Sequence, residues 1–141
     1  MSQHYKAPLK RWTVVTLAAA LITGLYFYFS ATIELGRRRH QIGQVWGLIV
    51  IYYCPAHGDK FPTDLEELRR LPNYIQFVPY WDRASQEIEL VAPGVHRTGK
   101  DVIVLRERQP DKRGRRWVHW LGGATELWNA HGQRDTSWWL E

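Results

Sequence analysis

The chain has 141 residues, enough for one modest domain and too few for two independent cores with their connections. Hydrophobic residues make up 45% and charged residues 23%, a balance that excludes wholesale disorder. One cysteine excludes an internal disulfide framework and a Cys-rich zinc site, while 19 Lys and Arg against 14 Asp and Glu leave the chain basic, at +5.

Residues 12–33, WTVVTLAAALITGLYFYFSATI, carry no charge. At about 1.5 Å per residue this stretch makes roughly 33 Å of helix, enough to cross a hydrocarbon core of about 30 Å. Trp12 and the run Tyr26, Phe27, Tyr28, Phe29 stand near its ends, where interfacial aromatic belts lie. A signal peptide would need a shorter apolar core followed by small residues, and Phe27 to Phe29 occupy that place. The pattern predicts a basic tail at 1–11 and an uncleaved single transmembrane helix over 12–35. Ala18, Ala19, Ala20 and Gly24 offer small residues for close helix packing within the bilayer. Lys6, Lys10 and Arg11 precede the span and Arg37, Arg38 and Arg39 follow it, so basic residues do not decide its orientation. The short acid-free N-terminal tail favours a cytoplasmic N-terminus and places the larger C-terminal part outside the cytoplasm. Arg37, Arg38 and Arg39 are candidate ligands for lipid headgroups, a role close in physics to a stop signal with snorkelling side chains.

Beyond the arginines, Ile42, Val45, Trp46, Ile49, Tyr52 and Tyr53 recur at three- and four-residue spacing, one apolar stripe on a helix. No proline lies between Trp12 and Cys54, so one continuous helix is expected, weakened at Gly36, Gly43 and Gly47 and ended by Pro55 and Gly58. Thr63 with Glu66 forms a capping-box pattern for a short helix that buries Leu65 and Leu68 and ends at Pro72. Then the period changes. Residues 74–80, 87–92, 102–108, 117–121 and 124–128 are short β-branched or aromatic runs separated by turn chemistry. Gly122-Gly123 suits a two-residue hairpin turn. The expected architecture is α+β: one long helix, one short helix and a small antiparallel sheet in a domain over 36–129, with a Trp-containing tail at 130–141.

This layout, with YYCPAHGDKFPTDLEELRRLP at 52–72 and VIVLRERQPDKRGRRWVHWLGGATELWN at 102–129, resembles pilin-like proteins, specifically the type II secretion pseudopilins. In that family a tyrosine-rich helix end is followed by a Gly, an aromatic-Pro pair and a short Leu-Glu-rich helix. The second segment is similar to a closing hairpin that ends near an Asp-Gly-His turn, here replaced by Gly122-Gly123-Ala124. The resemblance implies a structural role in secretion or pilus machinery at a bacterial inner membrane, with a periplasmic domain. The family's leader has a Gly cleavage site followed by an acid; this chain has no Gly before Gly24 and no acid before Glu34. That departure implies an anchored, unprocessed subunit. It leaves open an accessory or scaffold role in an integral-membrane respiratory or photosynthetic complex.

The basic run 106–116 offers Arg113, Arg115 and Arg116 to phosphate, lipid headgroups or an acidic partner, against the alternative of a solvated hairpin loop. Trp117 and Trp120 differ in parity, so on one strand they face opposite sides of the sheet. Trp138 and Trp139 end a polar tail with little chain left to bury them. With the arginines, these four Trp are the candidate partner-binding residues. The six His have no zinc-motif spacing, so no metal or cofactor is expected, and nucleic acid is not an expected ligand. A catalytic pair of Cys54 and His57 is conceivable, but a buried structural thiol is the better reading, and a membrane-anchored enzyme is the remote alternative. The sequence therefore predicts a non-catalytic, single-pass membrane subunit whose partners are lipids and other membrane or periplasmic proteins.

Overall fold

The computed structural model describes residues 7–72 and 74–137. Helix α1 covers Ala7–Leu48, runs into a π-helical turn at Ile49–Tyr53 and then into the short α2, Cys54–Ala56. Contacts divide the chain into two compact units, Met1–Gly36 and Arg37–Glu141.

In the first unit, residues 12–34 are exposed all round, Trp12 at 71% and Ile33 at 70%. Four of its hydroxyls bond within the helix. Thr16 donates to the Trp12 carbonyl at 2.8 Å, Thr23 to Ala19 at 2.8 Å, Ser30 to Phe27 at 3.0 Å and Thr32 to Tyr28 at 3.1 Å. Back-bonding of this kind satisfies each hydroxyl within its own helix, as an apolar medium requires. The helix is long and apolar enough to cross a membrane by length and composition.

In the second unit the apolar stripe is buried: Ile42, Val45, Leu48, Ile49 and Tyr53 join the core. Pro55 does not stop the helix where the sequence places its end. It lacks an N–H and its ring crowds the preceding turn, and the widened π turn before it, with Cys54 N–H donating to Ile49 O, is the local irregularity that proline commonly brings. Termination follows at Gly58, whose φ of +64° lets the Asp59 N–H reach back to Cys54 O at 2.8 Å in a Schellman closure. The short helix at Leu65–Arg70 is 3-10 in form and buries Leu65 and Leu68 as expected. Its capping box is displaced by one residue. Glu67, not Glu66, accepts from the Thr63 and Asp64 N–H groups at 3.0 and 3.1 Å, and Tyr53 and Thr63 add their hydroxyls. These donors hold its carboxyl down at about 2. Glu66 turns instead to Arg69 at 3.0 Å.

The run at 74–80, expected as a strand, forms a helical turn instead, α3 at Tyr74–Phe77, and a second helix, α4, follows at Trp81–Glu87. Trp81 and Ala84, three apart, share one buried face there, and Tyr74 meets Trp81 edge-on, so helical spacing wins over the aromatic content. Four strands follow, β1 Ile88–Leu90, β2 Ile103–Glu107, β3 Arg116–Trp120 and β4 Thr125–Trp128. They form an antiparallel meander in sequence order. Register puts Leu90, Leu105 and His119 in one row and Glu89, Arg106, Val118 and Glu126 in a neighbouring row on the opposite face. An irregularity between Ile103 and Leu105 breaks the alternation, and Val104 and Leu105 are both buried.

Inside the closing pair of Trp120 and Ala124, the β3–β4 turn has three residues, 121–123, rather than two. Trp120 N–H pairs with Ala124 O and Gly123 N–H with Trp120 O, both at 2.9 Å, leaving only Gly123 with positive φ, at +94°. Residues 129–135 do not hang free as a tail: Trp128 bridges to Arg134, and Asp135 N–H donates to Leu127 O at 2.6 Å. A Cβ on Gly123 would stand 3.4 Å from the Trp46 ring, whereas one on Gly43 would meet nothing within 4 Å. Gly123→Ala is therefore expected to lower stability by about 1–2 kcal/mol through backbone strain, and Gly43→Ala to raise it by roughly 0.5–1 kcal/mol. Denaturant midpoints of the two variants should move in opposite directions.

Candidate functional site

The surfaces that the sequence offers to lipids and partners are redistributed by the fold. Arg38 is turned inward: its Nε and Nη2 reach the two Glu107 carboxylate oxygens at 2.6 Å each, a bidentate pair with side-chain exposures of 14% and 5%. Glu107 also accepts the buried Trp117 N–H at 2.7 Å. Burial pushes the Glu107 carboxyl up, and the bonds from Arg38 and Trp117 oppose the shift. Arg37 bonds Gln41 at 2.5 Å and Glu87 at 3.4 Å, and the Arg39 guanidinium lies 5.7 Å from the centre of the Trp117 ring. Of the three expected headgroup ligands, Arg38 is thereby withdrawn, and the other two are shared with Glu87 and Trp117.

The basic run divides similarly. Arg115 is 11% exposed and pairs with Asp111 at 3.0 Å and Asp135 at 3.9 Å, which corrects its expected place on an open contact surface. Arg106 pairs with Glu89 at 2.5 Å. Arg113 is exposed, and Arg116 is half-buried on the outer sheet face, in register with Trp128. Trp117 is a second correction: at 1% exposure it is core, since its parity aims it at the helix side of the sheet. Trp120 stands on the outer face. It and Trp128 lie 6.1 Å apart, and both indole N–H groups donate to one oxygen of Glu126, at 3.0 and 3.1 Å. Arg134 meets the other oxygen at 3.4 Å. The outer face is thus a preset two-indole platform on a shared carboxylate. Trp138 and Trp139 lie outside the described residues. Ala18, Ala19, Ala20 and Gly24 are exposed, and a Cβ on Gly24 would meet nothing within 4 Å.

Cys54 is fully buried, and burial pushes its thiol up, away from the thiolate. His57 turns from it, bonding Tyr53 O at 2.8 Å and stacking on the Tyr53 ring. Among the described residues no cluster of three metal-ligating side chains forms. Sequence reasoning missed His119, which is 3% exposed, bonds Thr125 Oγ1 at 2.7 Å and lies 5.0 Å from Trp46. Its strand neighbours Val118 and Trp117 gave no polar signal, and only strand parity could have placed it inside. Glu107 and Glu126 were missed for the same reason. No family model matches the chain, and no curated protein or solved structure is significantly similar to it.

Two measurements test this site. Arg38→Met leaves a buried, unpaired carboxylate and is expected to cost about 3–5 kcal/mol, whereas the double variant Arg38→Met/Glu107→Leu should recover most of the loss. Denaturant unfolding in a double-mutant cycle reads the difference. Burial holds His119 at about 4, below the ordinary 6.5, so the unfolded chain binds the extra proton. Its contribution is full above pH about 6.5 and is lost as pH falls toward 4, up to about 3 kcal/mol. Unfolding free energies of wild type minus His119→Gln should shrink over that window, and a flat difference would contradict the assignment.

Proposed function

We propose that this chain is a non-catalytic, single-pass membrane subunit with a pilin-like layout, held by residues 12–35 and docking in a larger membrane assembly. Its N-terminus lies in the cytoplasm and its α+β domain in the periplasm of a bacterial inner membrane. The observation that carries this reading is the two-part character of one helix. Residues 12–33 are exposed and uncharged, and the hydroxyls of Thr16, Thr23, Ser30 and Thr32 bond within the helix, while the same helix beyond Arg37 supplies the core of a domain closed by a four-stranded meander. In water the first part would expose a continuous apolar surface far larger than soluble monomers tolerate; in a bilayer it is matched to its solvent. The outer-face platform of Trp120, Trp128 and Glu126 supports a protein contact, because Trp and Arg dominate interface energetics.

Gentle detergent extraction followed by native-size separation and intact-mass analysis tests the reading. The expected result is a chain retained in carbonate-washed membranes, of mass near 16.6 kDa, migrating with other proteins in a large complex. A chain recovered in the soluble fraction, or a lone intact monomer in detergent, would overturn it.

A further inference from the structure

We infer that the outer face of the sheet binds an acidic segment of another protein, with a carboxylate of that segment on Arg116 and an apolar side chain of it over Trp120 and Trp128. The inference rests on the docking-subunit reading above and adds to it the surface used and the chemistry of the partner.

Strand register gathers this surface. Arg116 on β3 pairs with Trp128 on β4, and Val118 pairs with Glu126. Side chains two apart on a strand share a face, so Arg116, Trp120, Glu126 and Trp128 stand together on the side away from the buried Trp117 and Leu127. The two indole rings lie 6.1 Å apart, and both stay partly open to solvent. Trp and Arg are the residues in which interface energy most often concentrates.

What the surface can bind follows from which of its polar groups are already spent. Both indole N–H groups donate to one oxygen of Glu126, at 3.0 and 3.1 Å, and Arg134 meets the other oxygen at 3.4 Å. In the neighbouring strands Arg106 is engaged by Glu89 at 2.5 Å. Two of these three arginines are thus matched by the two glutamates, and the surplus charge falls on Arg116, with which no carboxylate among the described residues forms an ion pair. With their N–H groups turned to Glu126, the indoles offer a ligand only their carbon surface. A glycan would need polar partners beside the rings, and those are occupied. A protein segment with a carboxylate next to an aliphatic side chain meets both open features at once. Its carboxylate gains a charge-assisted contact, and the side chains it meets are already ordered.

The test titrates the full chain in detergent micelles with two capped peptides, Leu-Glu-Leu-Glu-Leu and Leu-Gln-Leu-Gln-Leu, and follows the indole N–H signals of Trp120 and Trp128 by NMR. The acidic peptide is expected to shift both signals and to bind at least about tenfold more tightly than the neutral one, the effect of one hydrogen bond to a charged group. Arg116→Gln should abolish that discrimination, with an unchanged signal from the buried Trp117 showing that the fold persists. The comparison of the two peptides needs no variant, so a fold disturbed by Arg116→Gln leaves it standing. Equal binding of the two peptides, binding of neither, or discrimination that survives Arg116→Gln in a folded chain would overturn the proposal. So would shifts from a chito-oligosaccharide or a short-chain phosphatidylglycerol where the acidic peptide gives none. Shifts that follow protein concentration alone would mark a second copy as the occupant, and shifts on removal of residues 138–141 the chain's own end; either overturns it. Native-size separation of the extracted chain keeps the proposal apart from the reading it rests on. If the wild-type chain runs in a large complex that Arg116→Glu leaves intact, the proposal alone fails. If the wild-type chain is soluble or a lone monomer, the docking reading fails and takes the proposal with it.

Discussion

The pairing of Arg38 with Glu107 joins residues 69 positions apart and fastens the sheet to the helix at one defined level. Two charges taken out of water cost several kcal/mol each unless geometry and further hydrogen bonds compensate. Here both carboxylate oxygens receive guanidinium N–H groups, and the buried Trp117 N–H adds a third donor. Such a pair contributes little net stability compared with an apolar substitute, but it tolerates no slip of register. Moving β2 by one residue would send Glu107 to the outer face and leave Arg38 buried alone. The rest of the unit is compatible with that single alignment: Arg39 over Trp117, Trp46 against His119, and Gly123 close to Trp46.

The two faces of the sheet solve different problems with similar residues. On the helix side, Trp117, Leu127, Leu105 and Ile88 are excluded from water; among them Glu107 accepts from Arg38 and Trp117, and His119 bonds Thr125 through Nδ1 while its buried Nε2 has no partner. On the outer side, Glu89–Arg106 and Glu126 with Trp120, Trp128 and Arg134 make a fixed polar and aromatic surface. Presetting side chains in this way lowers the ordering cost of any later contact. The arginines, which look equivalent in sequence, therefore divide into those buried against carboxylates, Arg38 and Arg115, and those that stay at the surface.

Much of the architecture was legible because its signals are local. The helix stripe through Ile42, Val45 and Ile49, the Leu65 and Leu68 pair, and the positions of all four strands follow from spacing and turn residues. Residues 74–80 misled because β-propensity reports half-buried aromatic content, which Tyr74 satisfies equally well on a helix. Gly122-Gly123 misled in detail because a glycine pair does not say which of its members takes positive φ. The Glu66 and Glu67 ambiguity is of the same kind, since adjacent acids both fit a capping box until the first turn is placed.

By itself the sequence determined the exposed apolar segment, the helix that continues from it and the α+β order of the remaining chain, since hydropathy, periodicity and turn chemistry act over a few residues. Tertiary structure alone decided the fate of the charges. Whether an arginine meets lipid, solvent or a carboxylate depends on which acid the fold carries to it. Arg38 and Glu107 are brought together by a chain reversal of which neither residue carries a trace.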